Sequence, residues 1–179
     1  SNVESELFIT HGAGAGPHIA VDSLEIAQFL YLLLANDRIR KVIDTVTTKV
    51  VLILGRFTAE RKDVLDALRE ALRERDLVPV IFDFEPPAAR DTVETVTAIA
   101  HLSRFIIADL SDARSVPQEL QVIAQNLLSV PIQPLIVQGQ QAYGMFDHIA
   151  RYPQVLATFE YRDRDHVLAS LDSNVIEPA

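Results

Sequence analysis

Residues 104–125 read RFIIADLSDARSVPQELQVIAQ. Phe105 to Ala108 is a short apolar run that reads as a buried strand of a parallel sheet, and Asp109 marks its exit. Ser115 stands three residues ahead of Gln118, the spacing of a capping box. It predicts a helix opening at Val116, where Pro117 needs no helical hydrogen bond on its nitrogen. At about 100° per residue, Val116, Leu120, Ile123, Ala124 and Leu127 share one face, Gln118, Gln121 and Gln125 the other, and Glu119 falls on the border. The helix N-terminus favours the ionised form of such a carboxylate, while partial cover disfavours it. On position alone, Glu119 complements the helix dipole.

Working outward, the same alternation covers residues 50–171. Strands are expected at Val50–Leu54, Val78–Phe82, Phe105–Ala108, Ile132–Val137 and Val155–Tyr161. Helices are expected at Ala59–Arg75, Thr92–Leu102, Val116–Leu127, Tyr143–Ala150 and Arg164–Leu171. Five strands alternating with helices predict a doubly wound α/β fold, a five-stranded parallel sheet with helices on both faces. The order taken for it is the flavodoxin-like 2-1-3-4-5. On the first long helix, Val64, Leu65, Leu68 and Leu72 mark the buried side. Asp66 with Arg69, and Glu70 with Arg73, pair three residues apart on the solvated side.

Three parts are expected: a linker over 1–21, a helical extension over 22–48 and the α/β domain over 49–179. Three of the six glycines fall between Gly12 and Gly16. Pro17 and His18 follow them where a phosphate loop needs a helix and a lysine, so a linker is the reading, with a short edge strand at Leu7–Thr10. Asp22 and Glu25 have capping-box spacing ahead of Leu24–Ala35 (LEIAQFLYLLLA), which is apolar nearly all round. It is too short to span a bilayer, so it is either buried or faces a partner through Phe29, Leu30 and Leu33. Ile39, Val42, Ile43 and Val46 mark an ordinary amphipathic helix after it.

The 179 residues are 49% apolar and 23% charged, which suits a globular fold. Twenty-five acids against 16 Lys and Arg give a formal charge of −9, and without a basic run this disfavours nucleic acid as a partner. The chain has no cysteine, which excludes disulfides and thiolate metal sites and suits a cytoplasmic location. No secretion signal is visible. Ser1-Asn2 has the look of a cloning remnant, so the natural chain is expected to continue further.

In doubly wound sheets, ligands bind beyond the strand C-termini where the winding reverses. Here that point gathers Gly55, Arg56, Phe57 and Thr58 after the first strand and Asp109, Asp112 and Ser115 after the third, with Glu119 behind. Asp83 flanks it from the second strand. Phe57 either stacks on a base or plugs the core. A single glycine after the first strand excludes the dinucleotide fingerprint, and no G-x-S-x-G elbow is present. The five histidines have no ligand spacing, so no metal is expected.

Residues 49–161 resemble a TIR-like (Toll/interleukin-1 receptor-like) domain. The resemblance rests on VVLILGRFTAERKDVLDALREALRERDLVPVIFDFE followed by RFIIADLSDARSVPQEL, and is more narrowly similar to TIR-like modules placed after bacterial pentapeptide repeats. It implies a bacterial signalling or defence module that self-associates or works beside an upstream domain. In enzymatic members, a glutamate opening the helix after the third strand cleaves the nicotinamide–ribose bond of NAD; its match is Glu119, with NAD as substrate and no cofactor. That family's acid follows Ser-x-Trp-Cys, whereas Val116-Pro117-Gln118 stands here. Two alternatives remain open. One is a non-catalytic interaction domain. The other is a domain similar to nucleoside deoxyribosyltransferases, in which Asp109 and Glu119 act on an N-glycosidic bond.

Overall fold

The computed structural model describes residues 7–9, 19–21, 23–25, 28, 31–32, 36–56, 58–83, 90–111, 116–127, 129–140 and 146–179. The side chains of residues 7–9, 19–21, 60, 90–93, 95, 116–119 and 126 fall outside that description. Two compact units divide the chain, Ser1–Thr45 and Val46–Ala179.

In the first unit, β1 (Leu7–Ile9) and β2 (Ile19–Val21) pair antiparallel, with Leu7 opposite Val21 and Ile9 opposite Ile19. The stretch expected to be a linker therefore contains a two-stranded ribbon; Gly12 to Pro17 lie outside the described residues. Residues 24–25, 28 and 31–32 are helical, and Leu24, Tyr31 and Leu32 are 54%, 62% and 54% exposed. Phe29, Leu30, Leu33 and Asp22 lie outside the described residues. Asn36 opens α1 (Asp37–Lys49) because its Oδ1 accepts from the amides of Arg38 at 3.0 Å and Ile39 at 3.3 Å. No residue of α1 is buried, although Ile39, Val42, Ile43 and Val46 form an apolar stripe.

The second unit is built on a parallel sheet of β3 (Val50–Gly55), β4 (Val78–Asp83), β5 (Phe105–Asp109), β6 (Ile132–Val137) and β7 (Phe159–Tyr161). The strand order is β4-β3-β5-β6-β7, the expected 2-1-3-4-5. Because strand side chains alternate, each central strand serves two cores. Leu52, Leu54, Ile106, Ala108, Ile132 and Ile136 pack on one face with residues of α3 (Arg90–Leu102), α4 (Val116–Asn126) and α5 (Phe146–Ile149). Val51, Ile53, Phe105, Ile107 and Leu135 pack on the other with α2 (Ala59–Arg73) and α6 (Arg164–Ala169), where Leu65, Leu68, Leu72 and Val167 are fully buried. A π-helical turn, Asp172–Ile176, continues this layer through Val175.

The last strand is shorter than its sequence predicts. Val155 makes an isolated bridge to Ile132, and regular pairing resumes only at Phe159 opposite Leu135. Even-numbered residues of β6 turn their backbone groups toward β7, as the amide of Ile132 on the carbonyl of Gln154 shows. Pro134 is the next in that set, and it has no N–H to donate. The Gln133 side chain crosses the break instead, its Nε2 donating to the carbonyl of Ala157 at 2.9 Å.

Candidate functional site

The sheet's winding reverses between β3 and β5, so their C-terminal ends open side by side. Leu54 stands opposite Ala108, and Gly55 opposite Asp83 on the other flank, so β3, β4 and β5 end almost level. Gly55 is buried, and a Cβ on it would lie 3.4 Å from Leu65 and 3.5 Å from Asp109, so the strand end runs close against α2 and β5. Arg56 and Thr58 follow, both half-buried. Thr58 is extended, and its carbonyl receives the amides of Arg61 at 3.0 Å and Lys62 at 2.9 Å, which starts α2.

Arg61, in that first turn, is the centre of the site's wiring. Its Nε and Nη2 donate to Asp109 Oδ2 at 3.0 and 2.8 Å, its Nη2 also meets the Tyr161 hydroxyl, and its guanidinium carbon is 5.5 Å from the Tyr161 ring centroid. The second oxygen of Asp109, Oδ1, accepts the amide of Ser111 at 3.1 Å. The Ser111 hydroxyl accepts the amide of Val137 at 2.9 Å, and the amide of Leu110 reaches the carbonyl of Leu135 at 2.8 Å. One guanidinium thus joins the start of α2 to the ends of β5 and β7, while the residues leaving β5 are tied to β6.

Asp109, expected in the crevice as a substrate-binding acid, lies within the core at the end of β5. Asp109 is 3% exposed, and both its oxygens are held by protein donors. A strand-end carboxylate in the core must be paired or remain protonated, and Arg61 supplies the pairing. Asp83 is exposed at the end of β4, while Gly55, Arg56 and Thr58 do gather beside β5. The backbone of Glu119 lies in the first turn of α4, immediately before the fully buried Leu120. Its side chain, together with Phe57, Asp112 and Ser115, lies outside the described residues.

Arg61 and Tyr161 were missed from the sequence, although Arg61 carried a signal. Counting back from Leu72, Leu68 and Leu65 at helical spacing, the buried stripe of α2 reaches position 61. An arginine on a buried stripe needs an anion within reach, and Asp109 ends the neighbouring strand. Among the described residues, no group of three or more His, Asp or Glu is placed to hold a metal.

No family model matches the chain, and no curated protein matches it. Among solved structures, the chain is similar to the CMP N-glycosidase BcmB of Clostridium botulinum, with a TM-score of 0.53. The likeness is one of fold. It has 14% identity and covers 68% of this chain and 97% of that one. A diflavin flavoprotein from Nostoc sp. follows at TM-score 0.48, with 7% identity over 74% of this chain and 98% of that one. The lysine decarboxylase LdcF of Francisella novicida gives 0.47, with 15% identity over 74% of this chain and 17% of that one.

Proposed function

We propose that this domain breaks the N-glycosidic bond of a nucleotide, with Glu119 as the acting carboxylate and NAD the leading substrate. One observation carries the reading: the helix turn bearing Glu119 follows the strand at which the sheet's winding reverses, where the ends of β3 and β5 lie together. The fold, shared over 97% of a CMP N-glycosidase, is compatible with this chemistry. The TIR-like resemblance of residues 49–161 supports the same bond and favours NAD. As the bond breaks, the base leaves with the electron pair, positive charge builds on the ribose, and water adds its hydroxyl to the anomeric carbon. Its proton goes to solvent when nicotinamide leaves NAD neutral, and the departing base takes up a proton in CMP. A carboxylate beside that carbon lowers the barrier by opposing the charge.

The test is chromatographic detection of nicotinamide from NAD and cytosine from CMP. Wild-type protein releases at least one base, and Glu119→Gln slows the release by about 10²–10³-fold. Base from NAD alone favours the TIR-like version; base from CMP alone moves the substrate to a nucleoside monophosphate. Neither base, at high protein concentration and with forced clustering, overturns the enzymatic reading.

A second reading, assembly without catalysis, is favoured by the exposure of Leu24, Tyr31 and Leu32 in the N-terminal unit. Under it, sedimentation shows self-association that Leu32→Glu weakens. A monomer at high concentration removes it.

A further inference from the structure

The sheet has two outer strands, β4 and β7, and their edges are finished differently. The amide of Arg104 donates to the carbonyl of Val50, so Val50 turns its backbone groups toward β5. Strand groups alternate, so Val51 turns toward β4, and Pro79 opposite it turns its own groups off the sheet. Because Pro79 has no N–H, the β4 edge opens on a missing donor, which guards it against further pairing.

No proline guards the outer side of β7. The amide of Gln138 donates to the carbonyl of Tyr161, so Tyr161 and, by alternation, Phe159 face β6, while Glu160 turns its N–H and carbonyl outward. One step earlier, the carbonyl of Ala157 is held by Gln133 Nε2 on the β6 side. Across a planar trans peptide the next N–H points the opposite way, so Thr158 opens outward as well. Both residues are exposed, and among the described residues no partner reaches these groups. On either side the chain seals itself: the Arg162 amide donates to His166 Nδ1 at 3.1 Å, and the Val155 amide to the carbonyl of Tyr152 at 3.0 Å. Two donors and two acceptors therefore stand open between closed ends. Beside them lies a hollow of about 290 Å³, walled by Leu156, Ala157, Phe159 and Pro178.

We propose that a second copy of the chain adds to this edge, antiparallel, with Thr158 opposite Glu160 of the other copy and Phe159 opposite its own counterpart. The open row itself selects this occupant. About a two-fold axis at Phe159, each free N–H meets a free carbonyl, four bonds in all, and the two rings meet on one face at the rim of the hollows. Moving the axis to Glu160 sets two carboxylates directly opposite each other. Moving it to Tyr161 sets Glu160 against Arg162, whose amide is already taken, and moving it to Thr158 sets Glu160 against Leu156, which faces β6. The sealed ends limit the pairing to two chains. A seam this short makes a weak dimer, and with a charge of −9 on each chain it strengthens as salt screens the repulsion. The inference is independent of the reading of Glu119 and uses no residue of the N-terminal unit.

Sedimentation of the full chain at up to about 1 mM protein, in low salt and in about 0.5 M salt, is the test. Wild type self-associates, and more so in salt. In low salt, Thr158→Lys sets a cation opposite Glu160 twice per dimer and tightens association about fivefold, while Thr158→Asp weakens it about as much. Adding Glu160→Lys to Thr158→Asp restores it. Ala98→Lys, the same charge change at an exposed position of α3, does not tighten it. Lysine on an open edge normally discourages pairing, so tightening by Thr158→Lys is specific to this register. The chain has no cysteine, so Phe159→Cys under mild oxidation should yield a disulfide-linked dimer, and Glu160→Cys, out of line with its counterpart, should not. Protein that stays monomeric in salt at this concentration overturns the proposal. So does a dimer that is indifferent to both Thr158 substitutions, or one that Leu32→Glu abolishes, since its contact would then lie elsewhere. If Phe159→Cys fails to fold, the substitutions at the exposed Thr158 decide alone.

Discussion

An arginine stands near each end of α2, and each meets an aspartate. At the start, Arg61 and Asp109 are 11% and 3% exposed at their side chains. Beyond the end, Arg75 and Asp172 are 31% and 62% exposed. By geometry the outer pair is the better matched: Nε and Nη2 of Arg75 meet separate oxygens of Asp172 at 2.6 and 2.7 Å, a parallel fork. Arg61 places both nitrogens on one oxygen, because Ser111 holds the other. Fork geometry therefore does not rank the two. Water does: it surrounds the outer pair and competes for it, while the inner charges have little but each other, Tyr161 and the Ser111 amide.

Removing one inner partner should have the largest effect. Arg61→Ala leaves the Asp109 carboxylate in the core with only the Ser111 amide, at a cost of about 3–5 kcal/mol, read from the urea midpoint at neutral pH. A loss below about 1 kcal/mol would mean that water reaches the site, and would erase the contrast between the pairs. Tyr161→Phe is a finer cut, taking one oxygen from Arg61 and leaving the ring in place. Hydrogen bonds to charged groups are worth about 1.5–3 kcal/mol, and the surviving bonds to Asp109 place this variant near the lower end. A loss as large as that of Arg61→Ala would make the tyrosine, rather than the aspartate, the partner that matters.

The inner pair also marks where sequence reasoning worked and where it stopped. Strand runs such as Val50–Leu54 and Phe105–Ala108 are apolar throughout, a pattern that suits strands covered on both faces. Alternation with crossover handedness gave a parallel sheet with helices on both faces, while its strand order was a supposition that the structure bears out. Short-range chemistry was legible too: Asp66 with Arg69 and Glu70 with Arg73 pair as their spacing implies, at 3.5 and 2.8 Å. Pairing across the fold was not. Arg61 and Asp109 are 48 positions apart, and Arg61 and Tyr161 are 100 apart. Asp109 looked like a ligand because a strand-end acid at a switch point is equally suited to hold a substrate or a neighbouring cation. The truncation of β7 was hidden likewise, since its cause, Pro134, lies in a different strand.

The outer pair gives the smallest effect and the sharpest test of what water does. The hydrogen bonds from Arg75 hold the Asp172 carboxyl below the usual carboxylate range. A group whose folded pKa is depressed contributes stability above its unfolded value, about 4, and loses it as the pH falls through the folded value. Asp172→Asn should therefore lower the urea midpoint slightly at pH 7, and the gap to wild type should close as acidification carries the pH below the usual carboxylate range. It should also narrow in about 1 M salt, where screening acts within a few ångströms, while the deficit of Arg61→Ala persists because solvent ions do not reach the inner pair. A gap for Asp172→Asn that widens on acidification would reverse the assigned sign. An Arg61→Ala deficit that fades in salt as fast as the Asp172→Asn one would place both pairs in the same solvent, and the difference between the two ends of α2 would then lie in geometry after all.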